Sequence, residues 1–293
     1  MFELNLNLII TQAFFGLALG AVYILMACGL TIIFGLLDVV NFAHGTFYML
    51  GAFAAFVIIS LFGNFWLGLL TAVVIVGIVG ALTETLLLKR LYGKDPLYPL
   101  LLTFGFSVAV VDLMRVIFGT IGKIVPYPEV FMSPLIVGGI FLPKYRLFII
   151  LLTLAVLIFL WIFLKKTNLG MIIRAATRDS LMVQTLGINV SRIWTFGFAL
   201  GVGLAALAGA VNSTMVPALP DMGVDMTIEC FVVVVIGGLG SLGGAILGGL
   251  IIGQVISFTA LFASDYSQVA IFFTMLVILL VRTRGLFGEA GRL

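Results

Sequence analysis

Charge is scarce in this chain. Only 9% of its 293 residues are Asp, Glu, Lys or Arg, against 63% that are hydrophobic, and the mean hydropathy is +1.33. Soluble domains carry about 25% charged residues, so a water-soluble globular fold is excluded. The 15 basic and 12 acidic residues leave a formal net charge of +3. That balance lacks the basic stripe of a nucleic-acid binder, and no nucleic-acid partner is expected. Metal-ligating residues are equally rare. There is one histidine, His44, and two widely separated cysteines, Cys28 and Cys230, with no CxxC. A disulfide framework or a zinc site needs more ligands at closer spacing, so no metal and no other cofactor is expected. No nucleophile–base constellation stands out, which argues against an enzyme. A cleavable leader is not expected either. Met1-Phe2-Glu3 lacks a basic start, and the apolar run that follows exceeds the ~7–15 residues of a signal-peptide core.

Apolar length, by contrast, is abundant. A spanning helix needs about 20 mostly apolar residues. The run Leu8–Leu37 contains no charge. As one helix it would extend about 45 Å at ~1.5 Å per residue. It must therefore tilt, break or leave the bilayer near its end. Further stretches are Thr46–Phe62, Phe65–Leu88, Leu97–Phe118, Leu147–Leu164, Ile193–Val216, Phe231–Gly238, Gly243–Phe262 and Val269–Val281. Phe231–Gly238 is short and spans only if extended back toward Gly223. The pattern predicts an all-α, polytopic membrane helix bundle of eight or nine transmembrane segments, a single domain over residues 1–293. Basic residues orient it. Lys89, Arg90 and Lys94, then Lys165, Lys166, Arg174, Arg178 and Arg192, then Arg282, Arg284 and Arg292 fall on one side, taken as cytoplasmic. Lys123, Lys144 and Arg146 fall on the other, and Arg115 within a span. Nine crossings put the N-terminus outside and the C-terminus in the cytoplasm. Trp161 and Trp194 bracket the largest inner loop, at headgroup level.

That loop, 165–192, is the one long polar stretch on the inner side. Asn168 is expected to cap a first short helix, and Asp179 or Ser180 a second. The second carries Leu181, Met182, Val183 and Leu186 and stops at Gly187, which suits a left-handed C-terminal cap. Ile188 and Val190 extend its apolar surface. A helix this short is not stable alone. Either it docks on a cytoplasmic protein as an amphipathic element, or it lies on the surface as a linker; composition leaves both open.

Small residues recur every fourth position at Gly197, Gly201, Ala205 and Gly209, at Gly240, Gly244 and Gly248, and at Gly16 and Gly20. This is the spacing of closely crossing membrane helices. The glycine-rich run 237–244 has no Lys-Ser or Lys-Thr to complete a phosphate loop. If the protein moves solute uphill with ATP, another chain binds the ATP. Charges inside spans are costly. Asp112 and Arg115, three apart on one helix, are expected to neutralise each other. Glu84 is expected to snorkel or to pair with Lys89 or Arg90. Asp225 and Glu229 sit toward the outer side. No row of carboxylates crosses the membrane as a proton relay would. Candidate polar groups of a translocation path are Asn41 and His44, where a helix break can line a solute route, with Thr103 and Ser107 on one face, and Asn212 and Ser213 at an outer helix end. A hydrogen-bonded structural role is the competing reading for His44.

Several ordered pieces resemble a known family. Gly29-Leu30-Thr31-Ile32-Ile33-Phe34-Gly35 leads into Asn41-Phe42-Ala43-His44-Gly45 and Met49-Leu50-Gly51-Ala52. Arg174-Ala175 precedes Leu186-Gly187-Ile188-Asn189-Val190. Ile236-Gly237-Gly238-Leu239-Gly240-Ser241, Gly243-Gly244-Ala245 and Gly285-Leu286-Phe287-Gly288 follow. Together they resemble the LivH-type permeases of bacterial ABC importers for branched-chain amino acids. The resemblance implies a multi-pass inner-membrane subunit paired with a second homologous permease. It implies two cytoplasmic ATP-binding subunits that drive the pair by alternating access. A periplasmic or surface-tethered binding protein would deliver leucine, isoleucine or valine. Loop 165–192 then becomes a coupling loop, with Arg178, Asp179, Leu181, Met182, Leu186, Gly187, Ile188 and Asn189 as the ATPase-docking residues. Relatives that carry urea, amides or other amino acids supply the alternative substrate, and a stand-alone secondary transporter or channel the alternative mechanism.

Overall fold

A computed structural model describes residues 6–138 and 140–288. Glu3, Arg292 and both termini lie outside the described residues, as does any statement about their side of the membrane. The uncharged first run forms one helix, α1 (Leu6–Leu37). It is unbroken, and the interruption comes after it. Asp38, at φ 52°, turns the chain back. A non-glycine residue rarely adopts this left-handed conformation, and Asp is among those that tolerate it best. Helix α2 (His44–Phe62) ends at Gly63, whose φ of 64° makes the left-handed stop. The Asn64 side chain then accepts from the Leu67 amide at 3.0 Å, capping α3 (Phe65–Leu86).

Helix α4 (Leu97–Phe118) is followed by an excursion containing a two-stranded antiparallel hairpin, β1 (Pro134–Val137) and β2 (Ile140–Pro143), with Val137 opposite Ile140. Next come α5 (Lys144–Lys166), α6 (Asn168–Arg178), α7 (Ser180–Thr185) and α8 (Val190–Asn212). The chain continues through α9 (Met222–Gly237), α10 (Leu242–Ala263) and α11 (Ser267–Val281). The short Phe231–Gly238 stretch does extend backward, to Met222. Among the described residues, seven helical stretches are long and apolar enough to cross a membrane.

Lipid tails are as apolar as leucine, so burial alone does not hold membrane helices together; close backbone packing and interhelical hydrogen bonds do. The glycine rows sit where that rule puts them. A Cβ on Gly20 would meet the Gly249 carbonyl of α10, and one on Gly253 the backbone of Gly16 and Gly20. Gly201 of α8 faces the Gly29 carbonyl of α1, and Gly209 faces the Tyr48 carbonyl of α2. Polar side chains add to the α1–α10 seam. Ser257 Oγ donates to the Gln12 carbonyl at 2.7 Å, Gln254 Nε2 to the Ala13 carbonyl at 3.0 Å, and Gln12 Nε2 to the Ser257 carbonyl.

The end of α9 is closed by the chain's far end. Amides of Leu286 and Phe287 donate to the carbonyls of Ile236 and Gly237 at 2.8 and 3.0 Å. Those carbonyls belong to the last turn of α9 and have no intrahelical partner. The Gly285-Leu286-Phe287-Gly288 motif is thus a helix cap supplied from a distance.

Candidate coupling face and buried polar junction

The loop between α5 and α8 folds as two short helices. The cap of α6 is Thr167, whose hydroxyl oxygen accepts from the Gly170 amide at 3.0 Å. This corrects the expectation for Asn168, which is already the first helical residue. Gly170 lets α6 press against the Phe163 and Leu164 backbone at the end of α5. Asp179 caps α7 as expected, accepting from the Met182 amide at 2.9 Å. Gly187 takes the left-handed stop at φ 79°. Asn189 caps α8 by accepting from the Arg192 amide at 3.2 Å.

The apolar residues of this loop divide into two sets. Val183 is buried on Ala176 and Val190, with Ile188 packed against the same cluster. Ile188 and Val190 therefore face inward rather than extending the outer surface. Leu181, Met182 and Leu186 point away, 71%, 61% and 72% exposed. Arg178, Asp179 and Gly187 are exposed beside them. So α7 is anchored by one side chain and offers three.

The second feature is where α2 begins. His44 Nε2 lies 3.0 Å from the carbonyl of Met26. Met26 is 11 residues short of the end of α1, or ~16 Å at 1.5 Å per residue. Residues 38–43 thus carry the chain back alongside α1, and α2 starts deep in the bundle. A carbonyl only accepts, so Nε2 carries the proton and Nδ1 keeps a lone pair. Helix α9 starts beside it. Gly45 and Gly223 touch backbone to backbone, the Gly45 amide donates to Thr227 Oγ1 at 3.1 Å, and Thr227 Oγ1 donates to the Gly223 carbonyl at 2.7 Å. Two helix N-termini therefore meet inside the bundle.

The expected polar residues gather around this junction in one group and stand apart in another. Asn41 Oδ1 accepts from the Ala43 amide at 3.1 Å. Thr103 Oγ1 accepts from the Phe42 amide at 3.2 Å, and Ser107 Oγ pairs with Thr46 Oγ1 at 2.6 Å, tying α4 to the start of α2. Asn212 and Ser213 belong to the far end of α8. Asn212 Nδ2 donates to Tyr48 Oη at 2.5 Å and Ser213 Oγ to the Ala210 carbonyl at 2.8 Å. All six are buried. Asn41 Nδ2, His44 Nδ1 and Asn212 Oδ1 are buried without a partner among the described residues.

Sequence reasoning missed Thr227 and Gly223. Their four-residue spacing was the available signal, the same small-residue spacing noted elsewhere. It also misplaced the partner of Glu84. That carboxylate is fully buried and accepts from Tyr92 Oη at 2.7 Å and Thr195 Oγ1 at 2.6 Å, with no basic partner among the described residues. Burial and the bond to Glu84 push the Tyr92 hydroxyl upward from its ordinary pKa, so it remains a donor. Asp112 and Arg115 pair as expected at 2.7 Å, and Arg115 also reaches Asp221 in the link before α9.

A family model described as "Branched-chain amino acid transport system / permease component" matches residues 12–280. This chain belongs to that permease family. Curated permeases match along nearly their whole length. The high-affinity branched-chain amino acid transport system permease protein BraD of Pseudomonas aeruginosa is 30% identical over 288 residues, 94% of each chain. LivH of Escherichia coli K12 is 29% identical over 294 residues, 95% of each. Among solved structures, PsaBC from Streptococcus pneumoniae in complex with Fab aligns over 91% of this chain and 89% of its own, with a TM-score of 0.51. At 15% identity that likeness concerns the fold alone. As a branched-chain amino acid transport permease, the chain is a transport component and not an enzyme, and its helix bundle suits a bacterial inner membrane.

Proposed function

We propose that this permease passes leucine, isoleucine and valine across the inner membrane as one subunit of an ATP-binding cassette importer. It is one transmembrane domain over residues 1–293, with a coupling loop at 165–192. A second homologous permease, two cytoplasmic ATP-binding subunits and a periplasmic or surface binding protein complete the assembly. The crossings number nine, with α9 and α11 included, the N-terminus outside and the C-terminus in the cytoplasm. The observation that carries the reading is α7, pinned by Val183 while Leu181, Met182 and Leu186 stand free of the core. An exposed apolar triad on a capped helix is the form taken by helix-in-groove docking. Arg178, Asp179, Gly187, Ile188 and Asn189 complete the proposed docking element, with Asp179 and Gly187 closing the two ends of α7.

Alternating access assigns the permease a two-state role, biased from one side by the nucleotide engine and from the other by the loaded binding protein. The junction of the α2 and α9 N-termini is the proposed gate region, with Asn41, His44, Thr103 and Ser107 on its inner approach and Asn212 and Ser213 beyond it. Helix N-termini inside a membrane favour an anionic group such as a substrate carboxylate. The test is reconstitution of the importer with Leu181→Ser, Met182→Ser and Leu186→Ser combined. Leucine uptake and co-purification of the ATPases should be lost while the permease stays inserted and monodisperse. Full uptake by the triple variant, or leucine accumulation by the isolated permease without ATPases, overturns the proposal.

A further inference from the structure

A cavity of about 330 Å³ lies between α5, α6 and α10, at the end of the bundle that carries the coupling loop. Its interior is apolar. Cys28 of α1 is part of its wall, with Leu157, Leu160 and Ile246 along its sides. Its mouth is basic. Lys165 and Arg174 line it, and the Lys165 ammonium stands 5.5 Å from the ring of Trp161, which is itself exposed. Arg174 donates to the Leu164 carbonyl. That bond uses one of the five N–H donors of a guanidinium. Facing them are Leu242 and Gly243, the first turn of α10, where the helix dipole adds positive potential. No carboxylate is among the lining residues.

A long apolar slot, open at a cationic, tryptophan-marked rim, matches one kind of molecule. We propose that this cavity binds an anionic phospholipid, one acyl chain lying along Leu157 and Leu160 and the headgroup phosphate resting on Lys165 and Arg174. The depth is suitable: Leu157 to Lys165 spans eight residues of α5, ~12 Å at 1.5 Å per residue. Basic pockets between membrane helices at the membrane surface recognise phosphate headgroups in this way. Arg174 lies on α6, so the bound lipid also ties the coupling loop to α5 and α10. The site therefore joins bilayer composition to the element that faces the ATPases. The lipid site itself stands apart from the proposed substrate, and its link to the ATPases rests on the coupling role proposed for α7.

The experiment uses the purified full-length permease in nanodiscs of equal phosphatidylglycerol and phosphatidylcholine, with retained lipid counted by native mass spectrometry. Wild type should keep one phosphatidylglycerol per chain. Lys165→Gln with Arg174→Gln should lower the preference for phosphatidylglycerol by roughly fivefold for each charge removed. Arg282→Gln with Arg284→Gln, a basic pair that does not line the cavity, should leave it unchanged. Gly243→Phe places a ring at the mouth, where a Cβ meets no neighbouring atom, and should exclude lipid of either kind. Equal retention of the two lipids by wild type would overturn the proposal. So would an equal loss in the control pair, or undiminished retention in a monodisperse Gly243→Phe chain. Lipid kept by the isolated chain but absent from the assembled importer would show that another subunit fills the groove, and would also overturn it.

Discussion

Helices α1 and α5 are both long and strongly apolar, yet 83% of the apolar window of α1 is buried against 17% for α5. Mean hydropathy runs the opposite way, higher in the exposed α5 than in the buried α1; residue size follows the burial. Helix α1 carries Gly16, Gly20 and Gly29 at its crossings with α10 and α8, whereas α5 contains no glycine and presents leucine, isoleucine and phenylalanine outward. Helix α4 behaves like α5, with 22% of its window buried. Small residues therefore mark the faces at which α1 crosses its neighbours in the interior. Large ones mark the faces left to lipid or to a neighbouring subunit.

The sharpest break of that contrast is steric. Gly209→Leu would drive a side chain into the Tyr48 carbonyl. The cost is expected to exceed about 4 kcal/mol and to abolish monodisperse protein on size-exclusion chromatography. Next comes the polar interior. Glu84→Ala leaves the Tyr92 hydroxyl without its acceptor, while Thr195 falls back on the Ser191 carbonyl, and should cost about 1–3 kcal/mol, seen as a lower melting temperature in detergent. Glu84→Gln, which keeps an acceptor oxygen, should recover part of it. A smaller effect separates neighbours in the loop. Thr167→Ala removes the cap of α6 and should cost ~1 kcal/mol, whereas Asn168→Ala should cost less than half of that, both read by thermal melting. The smallest belongs to the outward-facing helices. Gly105→Leu on α4 meets no neighbouring atom and should change stability by less than about 0.5 kcal/mol. A large loss there would erase the distinction between inner and outer helices.

Local signals made much of this legible in advance. Apolar run lengths placed the long helices to within a few residues, because each needs only its own sequence to satisfy its backbone in lipid. Asp179 and Gly187 announced both ends of α7, since capping depends on neighbours a turn away. What stayed hidden depends on distant partners. Nothing near Asn41 says that the chain climbs back beside Met26, because the contact is made by His44 across a turn whose direction Asp38 sets. Glu84 looked destined for Lys89 or Arg90, five and six residues on, and instead finds a hydroxyl on α8, 111 residues away. The hairpin at Pro134–Pro143 had a Gly-Gly signal, but in so apolar a chain its strands did not stand out from helix. At the candidate junction, the α2 side was readable from Asn41 and His44, while the α9 side, Gly223 and Thr227, emerged only with the fold.

The cap on α9 has a temporal side. Ile236 and Gly237 leave the ribosome roughly 50 residues before Leu286 and Phe287, a lag of about 3–10 s at 5–20 residues per second. Throughout that interval α9 has an unfinished end, and α10 and α11 must be threaded before it can be completed. A nascent chain that stops short of Leu286 would leave those two carbonyls without their donors.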